Sequence, residues 1–244
     1  MPNMNALKKC LSFDDDEMKS LTAVALILGF IASFRYWGVD EFSFQTGLNN
    51  FVSSVLIVGL AVIAHLFVQR YIALKKGYRV DYKRWNIGLA IGLILAFLSN
   101  GFVMFLAIGG IVIHQVRKKR VGLFRGGVRY DDLAIISFFG PLTNILLAIL
   151  FKTLVFLPNT ALVDKLVMIN IWIALFAMLP IPPMVGVNIF YISRPLYLTA
   201  VIMFVIIAAL LQATAVLTAI IGSIFVLGLF LLLLNIIIAM GKWN

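Results

Sequence analysis

The sequence predicts an all-α polytopic membrane protein with about six transmembrane helices, and three observations support this class. Hydrophobic residues make up 63% of the 244-residue chain and charged residues only 12%, whereas soluble domains are about half apolar and about one quarter charged. Apolar runs long enough to cross a hydrocarbon core of about 30 Å recur along the chain. No Asp or Glu falls within any of these predicted runs.

Hydropathy divides the chain into six predicted spans, which are residues 18–37, 50–72, 133–156, 165–184, 196–212 and 214–240. The last two spans are almost continuous, and residues 212–214 are the predicted turn between them. The acidic run DDDE precedes the first span, and no small-residue cleavage site follows a short apolar core. We therefore expect a retained span and not a cleaved signal peptide. Cys10 is the single cysteine, which excludes an internal disulfide.

One further apolar segment, residues 86–114, is interrupted by the turn-forming trio Ser99-Asn100-Gly101. Basic residues are concentrated on both sides of it, in the stretches 70–84 and 117–129. A single crossing would place one of these stretches outside the cell, against the positive-inside rule. We therefore expect a re-entrant hairpin or small β element that turns at Asn100-Gly101, between the second and third spans.

This topology predicts a multi-pass protein of the cell membrane with both termini in the cytoplasm. No long repeat or low-complexity linker divides the chain, so a single membrane domain is expected over residues 1–244. Its predicted parts are a cytoplasmic tail 1–17, a core 50–195 and a C-terminal helical hairpin 196–244. The basic stretches, which include RKKR at 117–120, suit a surface facing lipid headgroups. An acidic partner or ribosomal RNA is the alternative, but the tract is too short to indicate specific nucleic-acid binding.

The second predicted span ends in AVIAHLFVQR, residues 61–70, which places two polar side chains in an apolar helix. His65 and Gln69 are four residues apart and therefore share one helix face. Two histidines at this spacing, with a glutamate after the first, form the zinc-binding HExxH pattern. Here Leu66 occupies the glutamate position and Gln69 the second histidine position.

Each polar residue also has a purely structural interpretation. A lone histidine in a membrane helix commonly faces the bundle and forms a hydrogen bond there. Asn144, in GPLTN, suits a polar contact between helices, with Gly140 permitting their close approach. The run LPIPP at 179–183 is compatible with a broken helix end.

Taken together, three segments resemble the site-2 protease family of intramembrane zinc metalloproteases. They are HLFVQRYIALKKGYRV, GPLTNILLAILF and NIWIALFAMLPIPPMVGVNIF, and they span roughly residues 50–195. In that family an HExxH helix precedes a G-P-x-x-N helix and a helix that ends in a proline-rich D-G motif. The match is closest to archaeal-type members, whose third motif reads LPIPPLDG.

The resemblance implies a zinc held by two histidines and the aspartate of D-G, with the motif glutamate handling protons. Of these positions only His65 is retained, because Leu66, Gln69 and Val185 replace the other three residues. We therefore expect no catalytic residue, no metal and no cofactor. We expect instead that His65 forms hydrogen bonds with Gln69, Asn144 or Asn188, directly or through water.

The expected function is that of a catalytically degenerate member, a pseudoprotease. It would bind other integral membrane proteins or transmembrane segments as an adaptor, chaperone or complex subunit, with membrane lipids around it. Candidate partner-binding residues are Gly109, Gly110, Asn144, Pro182, Pro183 and Asn188. Two alternatives stay open: an intramembrane zinc metalloprotease with relocated ligands, and a pathway for small molecules or ions.

Overall fold

The structure is a computed structural model that describes residues 12–37, 43–115, 128–156 and 160–239. Within these residues it contains six helices long and apolar enough to cross a membrane, and a small two-stranded sheet. The predicted all-α polytopic class is confirmed, and the six helices are consistent with a multi-pass membrane protein. The cytoplasmic placement of both termini stays a prediction. Cys10 and the RKKR tract lie outside the described residues.

The six long helices are α1 Asp15–Ser33, α2 Phe44–Lys76, α4 Tyr130–Lys152, α5 Thr160–Ala177, α7 Arg194–Ala213 and α8 Val216–Ala239. Two shorter helices are α3 Asn86–Leu98 and α6 Gly186–Ile192. Short 3-10 turns follow α1 at Phe34–Tyr36 and α4 at Thr153–Phe156. The strands are β1 Tyr78–Lys83 and β2 Gly110–Gln115. The turn between α7 and α8 lies close to the predicted residues 212–214.

The first two spans begin earlier than hydropathy predicts, because polar caps extend both helices. The side chain of Asp14 accepts a hydrogen bond from the backbone of α1, and Glu17 completes a capping box. Helix α1 therefore begins within the predicted cytoplasmic tail 1–17, and the cytoplasmic placement of that tail stays a prediction. Helix α2 begins after its cap Ser43 and ends at Lys76, and its C-terminal cap Gly77 adopts a left-handed φ of 85°.

The predicted fourth span, 165–184, is wrong at both ends. Helix α5 covers Thr160–Ala177 and ends before Pro180, since prolines cannot continue its hydrogen-bond ladder. Asp164 and Lys165 therefore lie inside a membrane-spanning helix, and the prediction that no acidic residue falls in a span fails for Asp164.

The predicted re-entrant hairpin is confirmed, because the chain between β1 and β2 leaves the two-stranded sheet and returns to it. Strand β1 pairs antiparallel with β2, with Tyr78 opposite Gln115 and Lys83 opposite Gly110. Helix α3 leaves this sheet, and residues 102–109, which form neither helix nor strand, return to it. The reversal uses left-handed backbone at Asn100, with φ of 51°, and at Gly101, with φ of 77°. The turn was predictable because asparagine and glycine tolerate this conformation.

Two apolar clusters hold the bundle together. One joins α1, α2, α3 and the inner face of α5, and the other joins α4, α5, α7 and α8. Helix α2 packs against α1 on one side and against α4 on the other. The polar residues that the sequence singles out lie at the α2–α4 contact.

Candidate functional site at the contact of helices α2 and α4

Gly140 brings α2 and α4 together at His65 and Gln69, the two HExxH-like positions of the resemblance. His65 and Gln69 are both fully buried and face α4 across this glycine. A Cβ atom added to Gly140 would overlap the imidazole of His65 and would lie 2.7 Å from Cδ of Gln69. The first two motifs therefore meet directly, and the glycine of GPLTN is the reason that they can.

His65 is held by a hydrogen bond to Asn144, one of the partners that the sequence predicts. Nδ1 of His65 lies 2.9 Å from Oδ1 of Asn144. The Asn144 amide then donates to Oδ1 of Asn170 at 3.5 Å, and the Asn170 amide donates to the carbonyl of Leu166 at 2.8 Å. This order requires that Nδ1 of His65 donates, which leaves Nε2 as the acceptor nitrogen that faces Gln69.

The third motif is connected to the same cluster through Ser137. The amide of Gln69 donates to the backbone carbonyl of Ser137 at 3.4 Å, and the amide of Asn188 donates to its hydroxyl at 2.9 Å. Oε1 of Gln69 is buried and has no hydrogen-bond partner. Val185 is buried and forms the N-terminal cap position of α6, one turn before Asn188.

The residues present do not fit the zinc that the resemblance implies. Catalytic zinc is commonly bound by three nitrogen, oxygen or sulfur ligands with one position open. This cluster offers one imidazole nitrogen and the unpartnered amide oxygen of Gln69, which is a poor ligand for zinc. Leu66, at the position that the resemblance assigns to the general base, is buried in the apolar cluster shared with α1 and α3, and its side chain cannot accept a proton. Among the described residues no three His, Cys, Asp or Glu side chains are grouped to bind a metal.

The candidate partner-binding residues divide between this cluster and the re-entrant strand. Asn144 and Asn188 belong to the polar cluster. Gly109, with φ of 108°, directly precedes β2, and the backbone of Gly110, the first residue of β2, lies against the carbonyl of Pro183. Pro182 is exposed beside them. The structure thus places these residues in two groups, and their role in binding stays a proposal.

Two members of the polar cluster, Ser137 and Asn170, were missed by the sequence analysis. Ser137 is three residues before Gly140 and Asn144 is four after it, so all three share one face of α4. Asn170 is an isolated amide in the apolar helix α5. The helical spacing around GPLTN would have identified Ser137, whereas the contact with Asn170 depends on how α5 packs.

Arg70 departs from the prediction that the basic stretch 70–84 faces lipid headgroups, because its side chain is only 3% exposed. It forms a bidentate ion pair with Glu17, with both oxygens 2.6 Å from Nη2. The same carboxylate accepts the backbone N–H of Tyr82 at 2.8 Å, which ties α1 to α2 and β1. Tyr82 donates in turn to the carbonyl of Ile108, and burial raises the pKa of its phenol. Sequence reasoning missed this pair because its partners are far apart along the chain.

The fold and the cluster together define a class: a polytopic helical membrane protein whose metalloprotease-like motifs converge between its helices. The chain is similar to a protein of Methanocaldococcus jannaschii named putative zinc metalloprotease MJ0611. The two are 30% identical over 179 residues, which cover 71% of this chain and 83% of the relative. The chain therefore belongs to the metalloprotease-like family of this relative. No family model matches the sequence, and no solved structure matches it.

Proposed function

We propose that this protein is a non-catalytic member of the site-2 protease type, which binds transmembrane segments of other membrane proteins. One observation carries the proposal: all three motifs meet in one buried cluster that offers a single imidazole and no carboxylate. The scaffold keeps the glycine, asparagine and proline positions that organise it. The side chains that would supply zinc ligands and a general base are replaced by Leu66, Gln69 and Val185.

Strand β2 supplies the binding element in this proposal. Among the described residues the sheet has only two strands, so the outer edge of β2 has no strand partner. Val112, in the middle of this strand, is 40% exposed. An extended peptide can add to such an edge through backbone hydrogen bonds, which need no metal and little specific sequence. The contact between Gly110 and Pro183 fixes the position of the strand relative to the cluster.

A protein that binds in this way suits the role of an adaptor, chaperone or complex subunit. The alternative is an intramembrane zinc metalloprotease with relocated ligands. The experiment also tests this alternative, because the Methanocaldococcus relative is named as a zinc metalloprotease. The two functions differ in one directly measurable property, which is the amount of zinc that the purified chain retains.

Zinc analysis separates these two functions. The unmodified protein, purified in detergent, is expected to hold far less than one zinc per chain by elemental analysis. A variant with Gln69→His and Val185→Asp carries, together with His65, the three zinc ligands that the resemblance implies and is expected to hold about one zinc per chain. Zinc near one per chain in the unmodified protein would contradict the proposal. The Gln69→His single variant is the control for added imidazole alone.

Site-specific photo-crosslinking tests the binding surface. A photoreactive phenylalanine analogue at Val112 is expected to cross-link to an extended part of a neighbouring integral membrane protein in intact cells. The same residue at Val205 of α7, which is 51% exposed, is the matched control for random contact in the bilayer. Cross-linked peptides identified by mass spectrometry give the measurement. Equal yields and identical partners at both positions would contradict a role for the strand edge.

A further inference from the structure

A polar crevice lies at the end of the bundle opposite the sheet. Its volume is about 530 Å³, and it lies between the start of α2, the start of α5 and the 3-10 turn after α1. Its polar lining consists of Tyr36, Asn49, Asn50, Ser53, Asp164 and Lys165. It is distinct from the zinc-motif cluster, because apolar residues of α2 such as Val58, Ala61 and Val62 separate Ser53 from His65.

Lys165 is a buried cation at the base of this crevice. Its residue is only 8% exposed, and its ammonium donates to Oδ1 of Asn50 at 2.7 Å and to Oγ of Ser53 at 3.2 Å. The ring of Tyr36 lies 5.1 Å from Nζ. The amide of Asn50 donates to the carbonyls of Tyr36 and Thr46, which fixes its oxygen toward the lysine. The ammonium is therefore held in a set position by neutral groups.

Within the part of the chain that the structure describes, only neutral side chains form hydrogen bonds with the ammonium of Lys165. Among the described residues no carboxylate lies within ion-pairing distance of its ammonium. An ammonium has three N–H groups, and two of them are used by Asn50 and Ser53. A buried, unpaired charge is costly inside a membrane protein and commonly marks a functional site. The third N–H and the open crevice together suit an anion.

The surroundings indicate which anion fits. Lys165 is five residues after the start of α5, about 8 Å along the helix axis, so it lies near one end of a helix long enough to cross a membrane. Ala161, Leu162 and Met168 provide apolar lining beside the polar groups. The exposed carboxylate of Asp164 also lines the crevice, and it repels a multiply charged free phosphate more strongly than a singly charged phosphodiester.

We propose that this crevice binds a phosphate group through Lys165, Asn50 and Ser53. A phospholipid headgroup and free phosphate share this chemistry, and the apolar lining and Asp164 favour the lipid. The bound phosphate would neutralise Lys165 and join α2 to α5 at this end of the bundle. The site is independent of the proposed binding of transmembrane segments.

The test measures the thermal unfolding of the delipidated full chain in detergent with three added compounds. Dioctanoyl phosphatidylglycerol is expected to raise the melting temperature, whereas dioctanoylglycerol, which lacks phosphate, is expected to have no effect. Inorganic phosphate separates the two sources: stabilisation by the lipid alone indicates a headgroup site, and equal stabilisation indicates a site for free phosphate. No stabilisation by either phosphate compound would overturn the proposal.

Two variants assign the effect to the crevice. Lys165→Met is expected to weaken the apparent affinity for the phosphate compound about fivefold or more. Asn50→Asp places an internal carboxylate beside the ammonium, so it is expected to remove the ligand effect while the protein stays folded without ligand. The Asn50→Asp variant therefore tests phosphate binding at the crevice even if Lys165→Met fails to fold. Lys152→Met, at the same end of the bundle on α4, is the matched control and should keep the full effect. Unchanged affinity in Asn50→Asp would overturn the proposal.

Discussion

Replacing Glu17 by glutamine is expected to lower the free energy of unfolding by about 3 to 5 kcal/mol, because it leaves a buried guanidinium without its counter-ion. The Arg70 and Glu17 side chains are only 3% and 13% exposed, so solvent screening is small. Glutamine has nearly the same size as glutamate, so the decrease in unfolding free energy measures the effect of removing the negative charge. Chemical unfolding of the purified chain in mild detergent, followed by circular dichroism, gives the measurement.

The matched control for this prediction is Asp16→Asn in the same turn of α1. Asp16 pairs with Lys19, but both side chains are largely exposed, so the substitution is expected to have little effect on stability. The double variant Glu17→Leu with Arg70→Met removes both charges together. It should be more stable than Glu17→Gln, since no unpaired charge stays buried. A Glu17→Gln protein as stable as the unmodified chain would contradict the buried ion pair.

Gly140→Ala is expected to cost about 2 to 3 kcal/mol of unfolding free energy, because the added methyl group overlaps atoms that cannot move freely. The imidazole of His65 and the amide of Gln69 occupy the space that this methyl would need. Both side chains are fully buried and hydrogen-bonded, so either α2 and α4 separate or the cluster is disrupted. The melting temperature and the unfolding free energy in detergent give the measurement.

Gly228→Ala is the control for the change in helix propensity. Gly228 lies within α8, and a Cβ atom added there meets no other atom within 4 Å. Alanine favours a helix over glycine by up to about 1 kcal/mol, so this variant should be equally or more stable. If Gly140→Ala and Gly228→Ala behaved alike, the close contact of α2 and α4 at Gly140 would be wrong.

Much of the fold could be predicted because its signals are local. Apolar length identified the six spans, and the trio Ser99-Asn100-Gly101 with its flanking charges identified the re-entrant reversal. The helix ends were less accurate, since hydropathy does not register the polar turns that Asp14 and Ser43 add to α1 and α2. The position of Pro180 alone was enough to predict that α5 ends near residue 179, but the predicted span continued past it.

The sequence predicted several residues of the candidate site, but it predicted fewer of the hydrogen bonds between them. The i, i+4 spacing placed His65 and Gln69 on one face, and the order of the motifs indicated that Asn144 would be near them. Sequence alone left three partners open for His65, and the structure selects Asn144. Ser137 and Asn170 complete the cluster through contacts between helices, which the spacing along one helix does not determine.

The sequence by itself determined the membrane class, the number of long helices and the residue types Leu66, Gln69 and Val185 at the positions that the resemblance assigns to a general base and two zinc ligands. These properties follow from composition, from local periodicity and from the chemistry of individual side chains. Only the tertiary structure decided which charges are buried. Glu17 with Arg70, and Lys165 with Asn50, are separated by 53 and 115 residues, so their pairing depends on how the helices pack.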